Sequence, residues 1–195
     1  SYIDVGAWVG PTVLYGSQLS RHAYAIEPDP VAISYLRKNI SLNPDLIDKI
    51  SVIDYCIGSE NGIVRLGTKT AGDSESSLLS IGEAKFFQVK SITFDTLIES
   101  FKINDCNFIK MDIEGGEFLI LPALRRFIKK FYPTLYLSIH GFQSKRPLDY
   151  MKSISDVLSN YDYFENEQGQ KIDVEELLVK KAWRQEPHAI LATNR

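Results

Sequence analysis

No stretch of 18 consecutive apolar residues occurs in this 195-residue chain, and no charged-then-apolar leader precedes Tyr2, so neither a hydrophobic membrane-spanning helix nor a secretory signal is expected. Cysteine is scarce. Cys56 and Cys106 lie far apart, too few and too widely spaced for a disulfide framework or a close-set metal site, and each falls in or near an expected strand; both are expected as buried thiols of a cytoplasmic protein. A basic excess is missing as well. With 22 Lys+Arg against 25 Asp+Glu the net charge is −3, which argues against general affinity for nucleic acid and points to small molecules or neutral polymers as partners. Internal repeats and low-complexity linkers are absent, and the composition, 44% hydrophobic and 24% charged, suits a folded globular chain. Its length is enough for one domain, spanning residues 1–195, that buries roughly 70% of its unfolded surface. Because the sequence starts directly in a strand, further residues N-terminal to Ser1 are expected.

What is present is an ordered set of elements in the first thirty residues, SYIDVGAWVGPTVLYGSQLSRHAYAIEPDP. Ile3 and Val5 alternate around Asp4 as in a buried strand. Gly6 and Gly10 bracket a turn in which backbone approaches a ligand without Cβ interference. Val13, Leu14 and Leu19 suit a helix beginning beside that turn, and the strand HAYAIEP then ends at Glu27, roughly twenty residues after Asp4. An acid at that distance in a βαβ unit accepts hydrogen bonds from two ribose hydroxyls. The nicotinamide-type Gly-x-Gly-x-x-Gly is lacking, since Ala7, Trp8 and Val9 separate the two glycines. An NAD-dependent oxidoreductase is therefore the weaker alternative.

The alternation continues. DPVAISYLRKNISLN predicts a helix with Asp29 as N-cap and Pro30 as its first residue, and KISVIDYCIGSENG predicts a third strand running into a turn at Asn61–Gly62. This β-α-β-α-β order implies a parallel sheet. Short strands at IVRLG and FFQVKSITF flank the polar stretch TAGDSESSLLSIG, which reads equally as a connection or as a lid. TFDTLIESF predicts a helix started by Thr93 or Asp95. Phe108 to Ile113 predicts a buried strand with Lys110 and Asp112 on one side, followed by a Gly115–Gly116 turn and a helix opened by Glu117. YPTLYLSIHGF ends a further strand at His140, PLDYMKSISDVLSNY predicts another helix, YDYFENEQGQKID a hairpin or loop, and HAILATN a last, antiparallel strand.

Ligands of open α/β sheets sit at the carboxyl ends of the strands. That edge gathers the 4–10 segment, Glu27, Asp54, Tyr55, Cys56, the acids Asp112, Glu114 and Glu117, and His140. The three acids suit a helix N-terminus and its dipole, yet three within six residues exceed what one helix start requires. A histidine at a strand end is either a satisfied structural group or a general base.

The segments DVGAWVG, AIEPDP, LRKNISLN, IGSENG, ITFDTL, KMDIEGGEFLIL and LYLSIH, spanning Asp4 to about His140, together resemble the FkbM-type methyltransferases. The resemblance implies a Rossmann-like fold with a mostly parallel seven-stranded sheet, a reversed last strand and helices on both faces. It also implies S-adenosylmethionine as cofactor and methyl transfer to a hydroxyl oxygen of a sugar or secondary metabolite. The family's cofactor positions fall on Asp4, Gly6, Gly10 and Glu27, with Ala7 and Trp8 in the turn, and with Tyr55 and Cys56 where related enzymes flank the adenine. Asp112 is placed at both the cofactor and the catalytic centre, beside Glu114 and His140, one of which is the expected base. Two departures stand out: Trp8 replaces the family's usual asparagine, and Cys56 stands where methyltransferases outside the family often carry an acid, which shifts adenine recognition to backbone groups or Asp54. No metal is expected; the alternative, a divalent ion held by Asp112, Glu114, Glu117 and His140, predicts activity that a chelator removes. A second alternative is a non-catalytic binding module of the same fold.

Overall fold

In a computed structural model the chain is described over residues 1–68, 85–114, 116–140, 147–174 and 188–194. The central strand β1 (Tyr2–Val5) is buried at all four residues, and parallel strands flank it on both sides, β2 (Ala23–Ile26) and β7 (Phe108–Met111). The remaining strands are β3 (Ile50–Ile53), β4 (Cys56–Ile57), β5 (Gly62–Thr68), β6 (Lys85–Ile92), β8 (Thr134–Ile139), β9 (Tyr163–Asn166) and β10 (His188–Thr193). Seven of them form one sheet in the order β3-β2-β1-β7-β8-β10-β9, with β10 antiparallel to both neighbours. The expected mostly parallel sheet with a reversed last strand is therefore present.

Strand alternation explains the two-sided core. Ile3 and Val5 point toward a cluster that holds residues of α3 (Phe94–Ser100), α4 (Glu117–Phe131) and α5 (Pro147–Leu158), among them Phe94, Leu121, Leu124 and Ile154. Tyr2, Ala23 and Ala25 face the opposite cluster, built with Val13 of α1 (Pro11–Leu19) and Leu36 and Ile40 of α2 (Pro30–Ser41). Parallel strands buried on both faces need this double cover. Leu19 departs from its expected place: at 76% exposure it faces solvent at the end of α1, where the helix has already turned its buried stripe away.

Capping follows the sequence closely. Asp29 accepts from the N–H groups of Val31 and Ala32 at 2.7 and 3.2 Å, with Pro30 at the first helical turn. Of the two candidates at α3, Thr93 is the cap, accepting from Thr96 N–H. Asp29→Ala leaves two N–H groups of α2 without their acceptor and is expected to cost about 1 kcal/mol in chemical denaturation. The basic residues of α4 take an ordinary role, Arg126 pairing with Asp95 on the surface and Lys129 and Lys130 lying in the last turn.

The expected third strand is divided in two. β3 ends at Ile53 in the main sheet, and the chain then crosses at Asp54–Tyr55 into β4, which joins the three-stranded sheet β4-β6-β5. Exposed Asp54 marks the crossing, and the switch carries Tyr55 and Cys56 away from the main sheet. The strand expected to reach Ile113 likewise stops at Met111, so Asp112 begins a turn. The polar stretch at 70–82 lies outside the described residues.

Candidate active site

The turn between β1 and α1 holds three residues in the left-handed region, Gly6 (φ 85°), Trp8 (φ 47°) and Gly10 (φ 97°). At Gly6 the requirement is absolute in steric terms: a Cβ there would stand 1.9 Å from the carbonyl oxygen of Asp112. Gly6→Ala must therefore separate the β1 and β7 ends, and it is expected to destabilise the fold by more than the 1 kcal/mol or so of the conformational effect alone, read as a lowered denaturation midpoint.

Behind the turn, Asp4 is fully buried and holds it from below. Its Oδ2 accepts from Tyr2 Oη at 2.7 Å and Thr12 Oγ1 at 2.6 Å, while Lys110 Nζ lies 3.2 Å from Oδ1 and 3.1 Å from the Gly6 carbonyl. Asp4 and Lys110 are register partners on adjacent parallel strands, so their side chains project on one face and meet. The sequence marks Lys110 only as a strand neighbour of Asp112; its contact with the turn makes it part of the site's frame.

At the end of β2, Glu27 is 7% exposed and receives two backbone donors, Trp8 N–H on Oε2 and Asp29 N–H on Oε1, each at 2.8 Å. Burial pushes its carboxyl up to about 7 against the opposing pull of these two bonds. The carboxylate lines a cleft at the carboxyl ends of the strands, where ligands of open α/β sheets sit. Gly6, Trp8, Tyr55, Cys56 and Asp112 border it with Glu27, and Ile26, Ile57, Leu66 and Ile113 supply apolar wall. Burial, with the Glu27 charge behind it, pushes the Cys56 thiol up to about 12, which makes it a wall group rather than a nucleophile.

A second cluster stands at the ends of β7 and β8. His140 is buried and follows β8 directly; its main-chain N–H donates to Tyr150 Oη at 2.8 Å. Tyr150 in turn donates to Glu117 Oε2 at 3.0 Å, and Glu117 Oε1 lies 3.0 Å from His140 Nδ1 and 3.4 Å from Ile113 N–H. A carboxylate receiving these donors fixes the imidazole proton on Nδ1 and turns Nε2 outward. There Nε2 lies 3.6 Å from Asp112 Oδ1 and 3.6 Å from Glu114 Oε1. Burial lowers the imidazole pKa, but the Glu117 hydrogen bond and the charges of Glu117, Glu114 and Asp112 outweigh it, and the net shift is upward. Glu114 holds φ 54°, a left-handed conformation costing on the order of 1–2 kcal/mol outside glycine. The turn thus carries backbone strain at the residue that faces the histidine.

The profile of the methyltransferase FkbM domain matches residues 4–165. The chain belongs to the FkbM methyltransferase family. A methyltransferase FkbM from Methylobacillus flagellatus KT has a similar structure, with a TM-score of 0.63 and 19% identity; the alignment covers 98% of this chain and 43% of that one, so the chain spans less than half of this relative's length. A Streptococcus mutans protein classed as a methyltransferase and crystallised with SAH aligns at a TM-score of 0.52 and 9% identity, over 98% of this chain and 87% of its own. An rRNA methylase from Streptococcus thermophilus gives 0.52 and 10%, over 100% and 86%. At these identities the likenesses show the Rossmann-like methyltransferase fold. No curated protein matches the chain significantly by sequence.

Within this FkbM-family chain the expected site residues fall into three groups, with Asp54 outside them. Gly6, Trp8, Glu27, Tyr55, Cys56 and Asp112 border the cleft. Asp4, Ala7 and Gly10 lie in or under its turn, with Ala7 N–H donating to the Ile26 carbonyl and Gly10 at the N-cap of α1. Exposed Asp54 sits at the strand crossing and is not among the cleft's bordering residues. Asp112, Glu114 and His140 come together. Glu117, expected at this edge as one of three acids, sets the imidazole from a fully buried position; Tyr150 is the residue the sequence does not mark, because nothing in PLDYMKSISDVL distinguishes a core tyrosine from one whose hydroxyl serves a buried network. Among the described residues no helix is long and apolar enough to cross a membrane.

Proposed function

We propose that the chain is the catalytic domain of an S-adenosylmethionine-dependent O-methyltransferase, a single domain that methylates a hydroxyl of a sugar or a secondary metabolite. The observation that carries this reading is the pairing of two features on one sheet edge: a buried carboxylate at the end of β2, held by Trp8 and Asp29 N–H groups, and the Asp112, Glu114 and His140 cluster joined to the same cleft through Asp112. Family membership supports the methyl-transfer reading.

The residues fit the cofactor. Gly6 keeps backbone, not side chain, at the cleft wall, and Glu27 has oxygen lone pairs left for two ribose hydroxyls after its two backbone bonds. Trp8, Tyr55 and Cys56 supply surface for an adenosine ring system. When bound, the cofactor supplies a methyl carbon activated by its sulfonium for in-line displacement, a step in which positioning provides much of the rate. Asp112 stands between the Glu27 end of the cleft and His140, so it is suited to orient the cofactor's amino group or the acceptor. His140 Nε2, with its lone pair directed outward by Glu117, receives the hydroxyl proton of the acceptor as the methyl carbon–oxygen bond forms. Two free, buried cysteines suit the reducing cytoplasm as the working compartment, and the charge of −3 suits a neutral small molecule or glycan acceptor.

The test is calorimetry with S-adenosylhomocysteine and with NAD, followed by transfer of labelled methyl groups to a panel of hydroxylated sugars and metabolites. Saturable binding of the first ligand and none of the second is expected. Binding of NAD alone, or of neither, would remove the methyltransferase reading.

A further inference from the structure

The Asp112, Glu114 and His140 cluster offers one imidazole nitrogen and two carboxylate oxygens whose ligand atoms all lie within 4.8 Å of one another. Two of the separations are 3.6 Å, from His140 Nε2 to Asp112 Oδ1 and to Glu114 Oε1. Ligands about 2.1 Å from an ion stand about 3.0 Å apart at octahedral corners and about 3.4 Å apart at tetrahedral ones. His140 Nε2 stands a few tenths of an ångström beyond such spacing from each carboxylate oxygen, and the two carboxylate oxygens, within 4.8 Å of each other, would draw together to share one ion. Mutual repulsion of the two carboxylates opposes such an approach unless a cation lies between them.

The surroundings have the form of a supported metal site rather than of an acidic surface patch. His140 is 5% exposed, and its Nδ1 faces fully buried Glu117, whose second oxygen is held by Tyr150. A carboxylate on the far nitrogen sets the tautomer in which Nε2 has a lone pair, and it raises ligand basicity. Asp112 divides its oxygens: Oδ2 lies 3.9 Å from the Lys110 ammonium, while Oδ1 faces the histidine. The Lys110 ammonium, hydrogen-bonded to Asp4 and the Gly6 carbonyl, attracts one oxygen by charge alone and leaves the other turned to the cluster. Glu114, at φ 54°, is turned by the backbone toward the same point.

From this geometry we infer that Asp112, Glu114 and His140 bind a divalent first-row cation, with Glu117, Tyr150 and Lys110 as its supporting groups. Three protein ligands leave coordination positions open on an ion that prefers four to six. Because Asp112 also borders the cleft, an ion held there would lie beside the space proposed for the methyl donor and acceptor. An ion there would lower the pKa of a bound hydroxyl, whose proton would pass to solvent water, since His140 Nε2 would then be a ligand and no longer the base. Occupation of the site by an ion does not depend on the methyltransferase reading; the use made of it does.

Mn²⁺ titrated into the full chain and followed by electron paramagnetic resonance tests this directly. One ion per chain is expected, weakened tenfold or more by Asp112→Asn and by Glu114→Gln, and unchanged by Asp45→Asn, an exposed carboxylate elsewhere. In case either variant fails to fold, electron spin echo modulation on the unmodified protein reads the ligands without substitution, and coupling to one imidazole nitrogen is expected. Absence of saturable binding, or bound Mn²⁺ with no imidazole coupling, would overturn the inference. S-adenosylhomocysteine binding measured on the same samples keeps the two readings separate. Cofactor binding without Mn²⁺ binding sinks only the metal site, and Mn²⁺ binding without cofactor binding sinks only the proposed function.

Discussion

Glu27→Ala is expected to weaken S-adenosylhomocysteine binding about a hundredfold in calorimetry. Hydrogen bonds to a charged group contribute on the order of 1.5–3 kcal/mol each, and the substitution removes the acceptor proposed for the ligand's ribose together with that of Trp8 and Asp29 N–H. A loss near 3 kcal/mol corresponds to about two powers of ten in affinity. Glu27→Gln keeps one carbonyl oxygen and is expected to lose about tenfold. The pH dependence gives a second signature. The carboxyl sits at about 7 in the free protein, and ribose hydroxyls favour its ionised form, so affinity rises about tenfold between pH 6 and pH 8 with release of a proton. Stability moves the other way. A carboxyl whose folded pKa is raised stabilises the folded state fully below its unfolded value, and that contribution is lost as pH rises through about 7. Over that window Glu27 withdraws about 3 kcal/mol, and Glu27→Gln removes this slope.

The second large effect belongs to the His140 network. His140→Ala is expected to reduce methyl transfer about a hundredfold to a thousandfold while S-adenosylhomocysteine affinity stays within a factor of about two, because the imidazole lies beyond the cleft's bordering residues. Glu117→Ala acts on both function and fold. It leaves the Tyr150 hydroxyl and His140 Nδ1 without their acceptor in a fully buried position, for which about 2–4 kcal/mol of stability is expected to be lost in urea unfolding. Glu117→Gln preserves the shape, and a smaller stability loss with a clear fall in turnover would show that the carboxylate sets the imidazole rather than merely filling space. Equal turnover in Glu117→Gln and the unmodified protein would remove that role.

How far the sequence reached depends on which physical signal each residue carries. Asp29, Pro30 and Thr93 announce helix starts through local chemistry, and the structure has them as caps. Gly6 and Gly10 are legible because a paired glycine turn after a strand marks close backbone approach, which at Gly6 leaves no room for a Cβ, and Glu27 because its place at a strand end follows from the βαβ spacing. The division of ISVIDYCI into β3 and β4 was not legible: both halves are apolar and strand-forming, and only the pairing of Cys56 and Ile57 with Ser91 and Ile92 separates them. Lys110 and Asp4 read as alternating strand residues, yet their meeting depends on the register of β1 with β7, a long-range choice that no local pattern encodes. Tyr150 and Glu117 meet across α4 and α5 for the same reason. Trp8 was marked as a departure from its family, and its place is at the cleft, 39% exposed, with its N–H committed to Glu27.

The most direct test of the cofactor site is a crystal structure with S-adenosylhomocysteine. The ribose hydroxyls are predicted within hydrogen-bonding distance of Glu27, the adenine between Tyr55, Cys56 and the apolar wall, and the sulfur turned toward Asp112 and the His140 cluster. A ligand bound away from Glu27, or in that cleft with its sulfur pointing away from Asp112, would contradict the assignment.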